Sequence, residues 1–222
     1  MIGVFGGTFD PVHHGHLRTA LEVTESLGLD EMRLVPCSVP PHRGRPRAPG
    51  ALRLGMLEAA VAPEPRFRVD GRELQRPGPS YMYDTLASMR SESATVPLCL
   101  VIGSDALRGF ESWHRWEEIL DLAHLVVVHR PGWELDGSPA GATPGTWARD
   151  RRARDAAELR ASPGGRLLTC QVTQLDISAS TIRGLLAQGR SPRYLLPEAV
   201  LAIIRDAGIY ATGAAEEAAR GR

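Results

Sequence analysis

His13, His14, Gly15 and His16 bring together two imidazoles three positions apart, with a glycine between them. On a helix that spacing puts His13 and His16 on one face, and Gly15 lets a flat group come close to the backbone. Upstream, residues 2–5 form a short apolar run that ends at Gly6 and Gly7, followed by Thr8, Phe9 and Asp10. A strand that turns through glycines into a helix offers free amides to negative charge, and two imidazoles beside them make a donor cluster suited to a phosphate chain. A histidine-rich helix cap without a ligand is the bland alternative. A zinc site is a third reading, but helical metal pairs favour i, i+4 spacing with thiolate or carboxylate company, and only Asp10 is near.

A second stretch of the same character is Ile177-Ser178-Ala179-Ser180-Thr181-Ile182-Arg183. Hydroxyls at Ser178, Ser180 and Thr181 at a helix start, with Arg183 one turn in, would hold phosphate through charge-assisted hydrogen bonds. Taken alone, an ordinary capped helix with a surface arginine explains it as well. Gly103-Ser104-Asp105 places a carboxylate at a strand end, where it could accept from a ribose diol or serve as a helix cap. Pro40-Pro41-His42-Arg43 lies in a loop, residues 37–49, too long and polar to be a simple connection. Trp113, beside His114, offers the largest aromatic face for a planar ring, whereas Trp116 reads as core.

These residues must be positioned by elements. Apolar spacing predicts a helix from His14 to the stop at Gly28 and strands at 2–5, 32–35, 67–69, 98–102, 125–128 and 167–172. Helices are expected at 51–62, 81–89 (capped by Ser80), 149–160 (as an exposed, charged helix), after Asp176, and at 197–207. Residues 132–145 read as a mobile surface loop and 212–222 as a disordered tail. The β-α-β-α-β order predicts an α/β domain on a parallel sheet with right-handed crossovers, spanning 1–211 with a helical portion from about 178.

Composition excludes several chemistries. With 26 basic and 26 acidic residues among 222, no sequence-wide field would draw nucleic acid or an anionic membrane surface. No lysine occurs, which removes the P-loop lysine and Schiff-base catalysis. Cys37, Cys99 and Cys170 form no C-x-x-C pair and read as reduced thiols in a cytoplasmic protein. No apolar run approaches the ~18 residues of a membrane span.

Residues 6–16, GGTFDPVHHGH, resemble the signature of the nucleotidyltransferases marked by His-x-Gly-His, and are most similar to the bacterial nicotinate-nucleotide adenylyltransferase family. The resemblance implies a single Rossmann-like domain that transfers AMP from ATP to nicotinate mononucleotide, with Mg2+ arriving on the ATP phosphates and no metal ligand from the protein. It implies catalytic roles for His13, His16 and Arg183. Around ATP it places Gly6, Gly7, Thr8, Phe9, Gly15, His42, Arg43, Gly103, Asp105, Arg130, Ile177, Ser178, Ser180 and Thr181. Around the acceptor it places Ser80, Tyr81, Met82, Trp113 and His114, with Trp113 stacking on the pyridine ring and amides at Met82 and His114 meeting its carboxylate. Arg43 stands where the family often has lysine, and Met82 where it usually has threonine. The expected partners are the two substrates, without nucleic acid or membrane, in a monomer or homodimer. Another acceptor on the same scaffold, such as phosphopantetheine, and a non-catalytic nucleotide-binding protein remain the alternatives.

Overall fold

A computed structural model of the chain describes residues 1–40, 44–129 and 146–211. The expected loop at 132–145, the tail at 212–222, and His42, Arg43 and Arg130 lie outside the described residues.

Six strands, β1 (Ile2–Gly7), β2 (Glu31–Pro36), β3 (Phe67–Val69), β4 (Leu98–Gly103), β5 (His124–His129) and β6 (Leu167–Gln171), form one sheet in the order β3-β2-β1-β4-β5-β6. Every pairing is parallel, with Ile2 opposite both Glu31 and Leu98. The central strands are apolar on both faces because helices cover both. Cys99, Val101, Val126 and Val128 point into one core, and Leu98, Leu100, Ile102, Leu125 and Val127 into the other.

The first core is roofed by α1 (His14–Leu27), α2 (Gly50–Val61) and, after two short helices described below, by α9 (Ala179–Ala187) and α10 (Glu198–Asp206). α1 buries Ala20, Val23 and Leu27 and stops at Gly28, whose φ of 58° suits a left-handed helix terminus. The second core lies under α4 (Met82–Glu92), α5 (Ser104–Arg108) and α6 (Trp116–Leu122). None of the described helices is long and apolar enough to cross a membrane.

Two expectations need correction. The helix expected from 81 begins at Met82 with Tyr81 as its N-cap residue. Ser80 does not cap it, because its hydroxyl accepts the Ser38 N–H at 2.8 Å. It is preceded by a one-turn helix, α3 (Arg72–Gln75), that the periodicity does not reveal. The exposed helix expected at 149–160 is two short ones, α7 (Thr146–Asp150) and α8 (Ala156–Arg160). Between them Arg152 bridges to Leu167 and Ala153 is buried, so the charged stretch is stitched to the sheet edge rather than free in solvent.

Candidate active site

β1 and β4 are neighbours whose crossovers lead to opposite faces, so a crevice opens beyond their C-terminal ends, the usual ligand site of such sheets. The cleft there measures about 1230 Å³, room for more than one small molecule. One wall of it begins at Gly7. Phe9 follows with φ of 47°, a conformation costly for a bulky residue. It is held there by its ring, which packs edge-on against His16 at 5.0 Å and lies where a Cβ on Gly7 would come within 2.9 Å.

His13 and His16 stack, with centroids 3.7 Å apart and planes 26° from parallel. Gly15 permits this, since a Cβ there would stand 3.0 Å from His13 Nδ1. The His13 N–H donates to His16 Nδ1 at 3.3 Å, which leaves the His16 ring proton on Nε2 as a donor. Burial, and then the neighbouring imidazoles, lower the pKa of His13 to about 4 and of His16 to about 3. Both rings are therefore neutral near pH 7, each with one ring N–H to donate.

Asp10, only 5% exposed, ties four segments together. Its carboxylate accepts the N–H groups of Arg47 at 2.8 Å and Ala48 at 3.0 Å, and the Tyr210 hydroxyl at 2.6 Å. Arg183 Nη1 donates to the Asp10 carbonyl at 2.6 Å and lies 3.9 Å from its carboxylate. Arg53, 2% exposed, donates to the carbonyls of Thr8 at 2.7 Å and Ala48 at 3.2 Å, bracing the same turn. Beside this turn, Ser178 caps α9 by accepting the Thr181 N–H at 3.1 Å. Arg183 Nε is buried with no acceptor among the described residues.

Another wall is built around a buried carboxylate, Glu73. It accepts the Thr85 hydroxyl at 2.6 Å and the Ser80 hydroxyl, while Arg76 donates to Thr85. Burial raises the Glu73 pKa against the opposing pull of those two hydroxyls and of Arg76. Ser80 also donates its N–H to the Val39 carbonyl at 2.9 Å, so the turn before α4 is clamped to the root of the 37–49 loop. Trp113 is half-buried against Phe110 at 5.4 Å, and His114 tilts over Tyr81 at 4.4 Å. Trp147 of α7 packs on Phe110 and Trp116 and donates to Glu111 at 2.7 Å, supporting this aromatic wall from behind. The Met82 thioether lies over Gly6, where a Cβ would come within 2.6 Å of its methyl carbon.

The structure thus brings to one cleft Gly6, Gly7, Thr8, Phe9, His13, His16, Ser80, Tyr81, Met82, Gly103, Asp105, Trp113, His114, Ile177, Ser178, Ser180 and Arg183. Asp105 stands 91% exposed, free to meet a ligand, with Arg108 at 3.5 Å. Gly15 lies behind the His13 ring, and Thr181, outside the lining, pairs its hydroxyl with Ser178 at 2.8 Å. Asp10, Arg53, Glu73 and Tyr210 are the site residues that motif reading passes over. Arg53 carries a signal, because it falls on the α2 stripe of Met56, Leu57 and Ala60, and a charge on an apolar stripe must find a buried partner.

The cytidylyltransferase-like family model matches residues 4–185. A probable nicotinate-nucleotide adenylyltransferase of Methylococcus capsulatus is 48% identical over 95% of this chain and all of its own length. One of Halorhodospira halophila is 49% identical over 94% of each chain. The chain belongs to the nicotinate-nucleotide adenylyltransferase family. The fold agrees at greater distance. A nicotinic acid mononucleotide adenylyltransferase of Plasmodium falciparum, solved with NaAD, superposes with a TM-score of 0.69 over 94% of this chain and 96% of its own at 14% identity.

Proposed function

We propose that the chain transfers the adenylyl group of ATP to nicotinate mononucleotide, forming nicotinate adenine dinucleotide and pyrophosphate, in the biosynthesis of NAD. The observation that carries this is the single cleft whose ends differ in chemistry: stacked His13 and His16 with Arg183 at one, Trp113 over Phe110 at the other. The acceptor is a phosphate monoester with a second pKa of about 6, so at neutral pH its dianion is already the nucleophile and no general base is needed. Its oxygen forms a bond to the α-phosphorus as the bond to the bridging oxygen of pyrophosphate breaks, with attacking and leaving oxygens in line.

The barrier lies in bringing two anions together and in the charge that grows on the transferring phosphoryl group. His16 Nε2–H, His13, the Arg183 guanidinium and the amides at the start of α9 are donors for that charge, and Thr8 with Gly6 and Gly7 lines the approach. Arg43 and His42 would close over the phosphates, Asp105 would meet the ribose, and Arg130 the adenine end. The first amides of α4 have no intrahelical acceptor, so a backbone contact from Met82 to the nicotinate carboxylate does not need the threonine hydroxyl that is common here. Mg2+ bound to ATP would neutralise phosphate charge. Asp10 is a poor ligand for it, since both carboxylate oxygens already face donors, so phosphate oxygens would hold the ion. A cytoplasmic setting fits three cysteines that form no disulfide.

The test is pyrophosphate release from Mg-ATP with nicotinate mononucleotide, nicotinamide mononucleotide or phosphopantetheine as acceptor. Strong preference for the nicotinate form is expected. Turnover with phosphopantetheine alone would refute the acceptor assignment while leaving the phosphate end standing.

A further inference from the structure

The Asp10 carboxylate sits in the glycine-rich turn at the wall of the cleft, with both of its oxygens turned to donors of the protein itself. One oxygen accepts from Ala48 N–H and Tyr210 OH, and the other from Arg47 N–H, with Arg183 alongside. These groups mark the far root of the 37–49 loop, α9, and the segment that follows α10. Tyr210 is 8% exposed, with φ of 68°, and its ring belongs to the first core. A left-handed φ at a tyrosine is costly, and here it accompanies a buried hydroxyl bond to a residue 200 positions away.

We propose that Tyr210 is a positioning residue of the ATP site: its hydroxyl fixes the Asp10 carboxylate, and Asp10 in turn fixes Arg183 and the Arg47–Ala48 root of the basic loop. This deepens the adenylyl-transfer reading and rests on it for the identity of the ligand. The bond between the phenol and the carboxylate is charge-assisted and dry, so it is short and directional. Burial, then the bond to Asp10, push the phenol pKa far upward, so the hydroxyl remains a donor throughout the working range of pH. Without it, Asp10 Oδ1 keeps only the Ala48 N–H. The carboxylate is then free to swing toward Arg183, which lies near enough to pair with it and leave its place in the cleft. The acceptor half would be untouched, because Glu73, Ser80 and Thr85 hold it through separate hydrogen bonds.

The experiment compares the full-length wild type with Tyr210→Phe, which deletes one hydroxyl and keeps the ring in the core. A misplacement of about 1 Å costs up to ~100-fold, so kcat/KM for ATP should fall about tenfold while KM for nicotinate mononucleotide stays within about twofold. A role confined to stability would lower the melting temperature and leave both KM values alone. That result, or equal shifts in both KM values, would overturn the proposal. Asp10→Asn and the double variant complete a cycle. If Tyr210 acts through Asp10, the double variant is no worse than Asp10→Asn, whereas additive losses would refute the coupling. Calorimetric titration of each variant with ATP, in the absence of an acceptor, separates the two readings. Weaker ATP binding by Tyr210→Phe sustains the positioning role even if the wild type proves inactive with nicotinate mononucleotide.

Discussion

At the scale of single residues, His16 shows how much one proton matters. Its Nδ1 takes the His13 N–H, so the only proton it can give a phosphoryl oxygen is on Nε2. Replacing His16 with Ala should lower kcat by about 10² or more, as loss of one preorganised donor does elsewhere, and steady-state pyrophosphate release measures it. Trp113→Ala should act on the other substrate. With stacking worth about 1–3 kcal/mol, KM for nicotinate mononucleotide rises about tenfold and KM for ATP stays put; a larger ATP effect would remove Trp113 from the acceptor side. Residues of this kind are legible in sequence because histidine, arginine and tryptophan announce their chemistry by type and spacing. Asp10 and Glu73 are not. A carboxylate that works by accepting from other elements, up to 200 positions away for Asp10, looks, along the chain, like any turn or helix acid.

At the scale of elements, the two roots of the 37–49 loop are held by different carboxylates. Glu73 grips the near root through Ser80, and Asp10 grips the far root directly. Glu73→Ala leaves the Thr85 and Ser80 hydroxyls without their acceptor. It should cost about 1–3 kcal/mol of stability, the usual penalty for stranding buried polar groups, read as a lower urea midpoint at unchanged m-value. Sequence spacing locates the elements that an apolar stripe sets, as in α1, α2 and α10. It misleads where a polar residue has a distant partner. Ser80 is of a helix-capping type, but its hydroxyl is engaged by Ser38 and Glu73. The arginine-rich 149–160 stretch reads as a solvated face, yet Arg152 and Ala153 pair with the β6 edge.

For the whole molecule, alternation of apolar runs and helices was enough to predict a parallel sheet, but not the strand order, which depends on crossovers that no local pattern encodes. The assembled sheet buries a histidine at the start of β5, between β4 and β6. His124 accepts the Arg166 N–H on Nδ1 at 3.1 Å and donates from Nε2 to the Ser162 carbonyl at 2.8 Å, an arrangement only the neutral ring can make. Burial lowers its pKa below 6.5 in the folded chain, and the unfolded chain takes up the proton first. Stability from this group is complete above about pH 6.5 and is lost as pH falls, at up to about 1.4 kcal/mol per pH unit. His13 and His16 act in the same direction, down to about 4 and about 3. Thermal melting between pH 8 and 5 should show a falling midpoint below 6.5, and His124→Gln should flatten part of that slope.

The bond between Asp10 and Tyr210 also places a condition on biosynthesis of the chain. Asp10 and both motif histidines leave the ribosome early, but the hydroxyl that steadies Asp10 does not exist until two hundred more residues have been joined. A nascent chain therefore displays the whole histidine signature before Asp10 has its full set of donors. Full affinity for ATP would then arrive late in translation, and a premature stop just upstream of Tyr210 should cost at least the roughly tenfold expected of Tyr210→Phe.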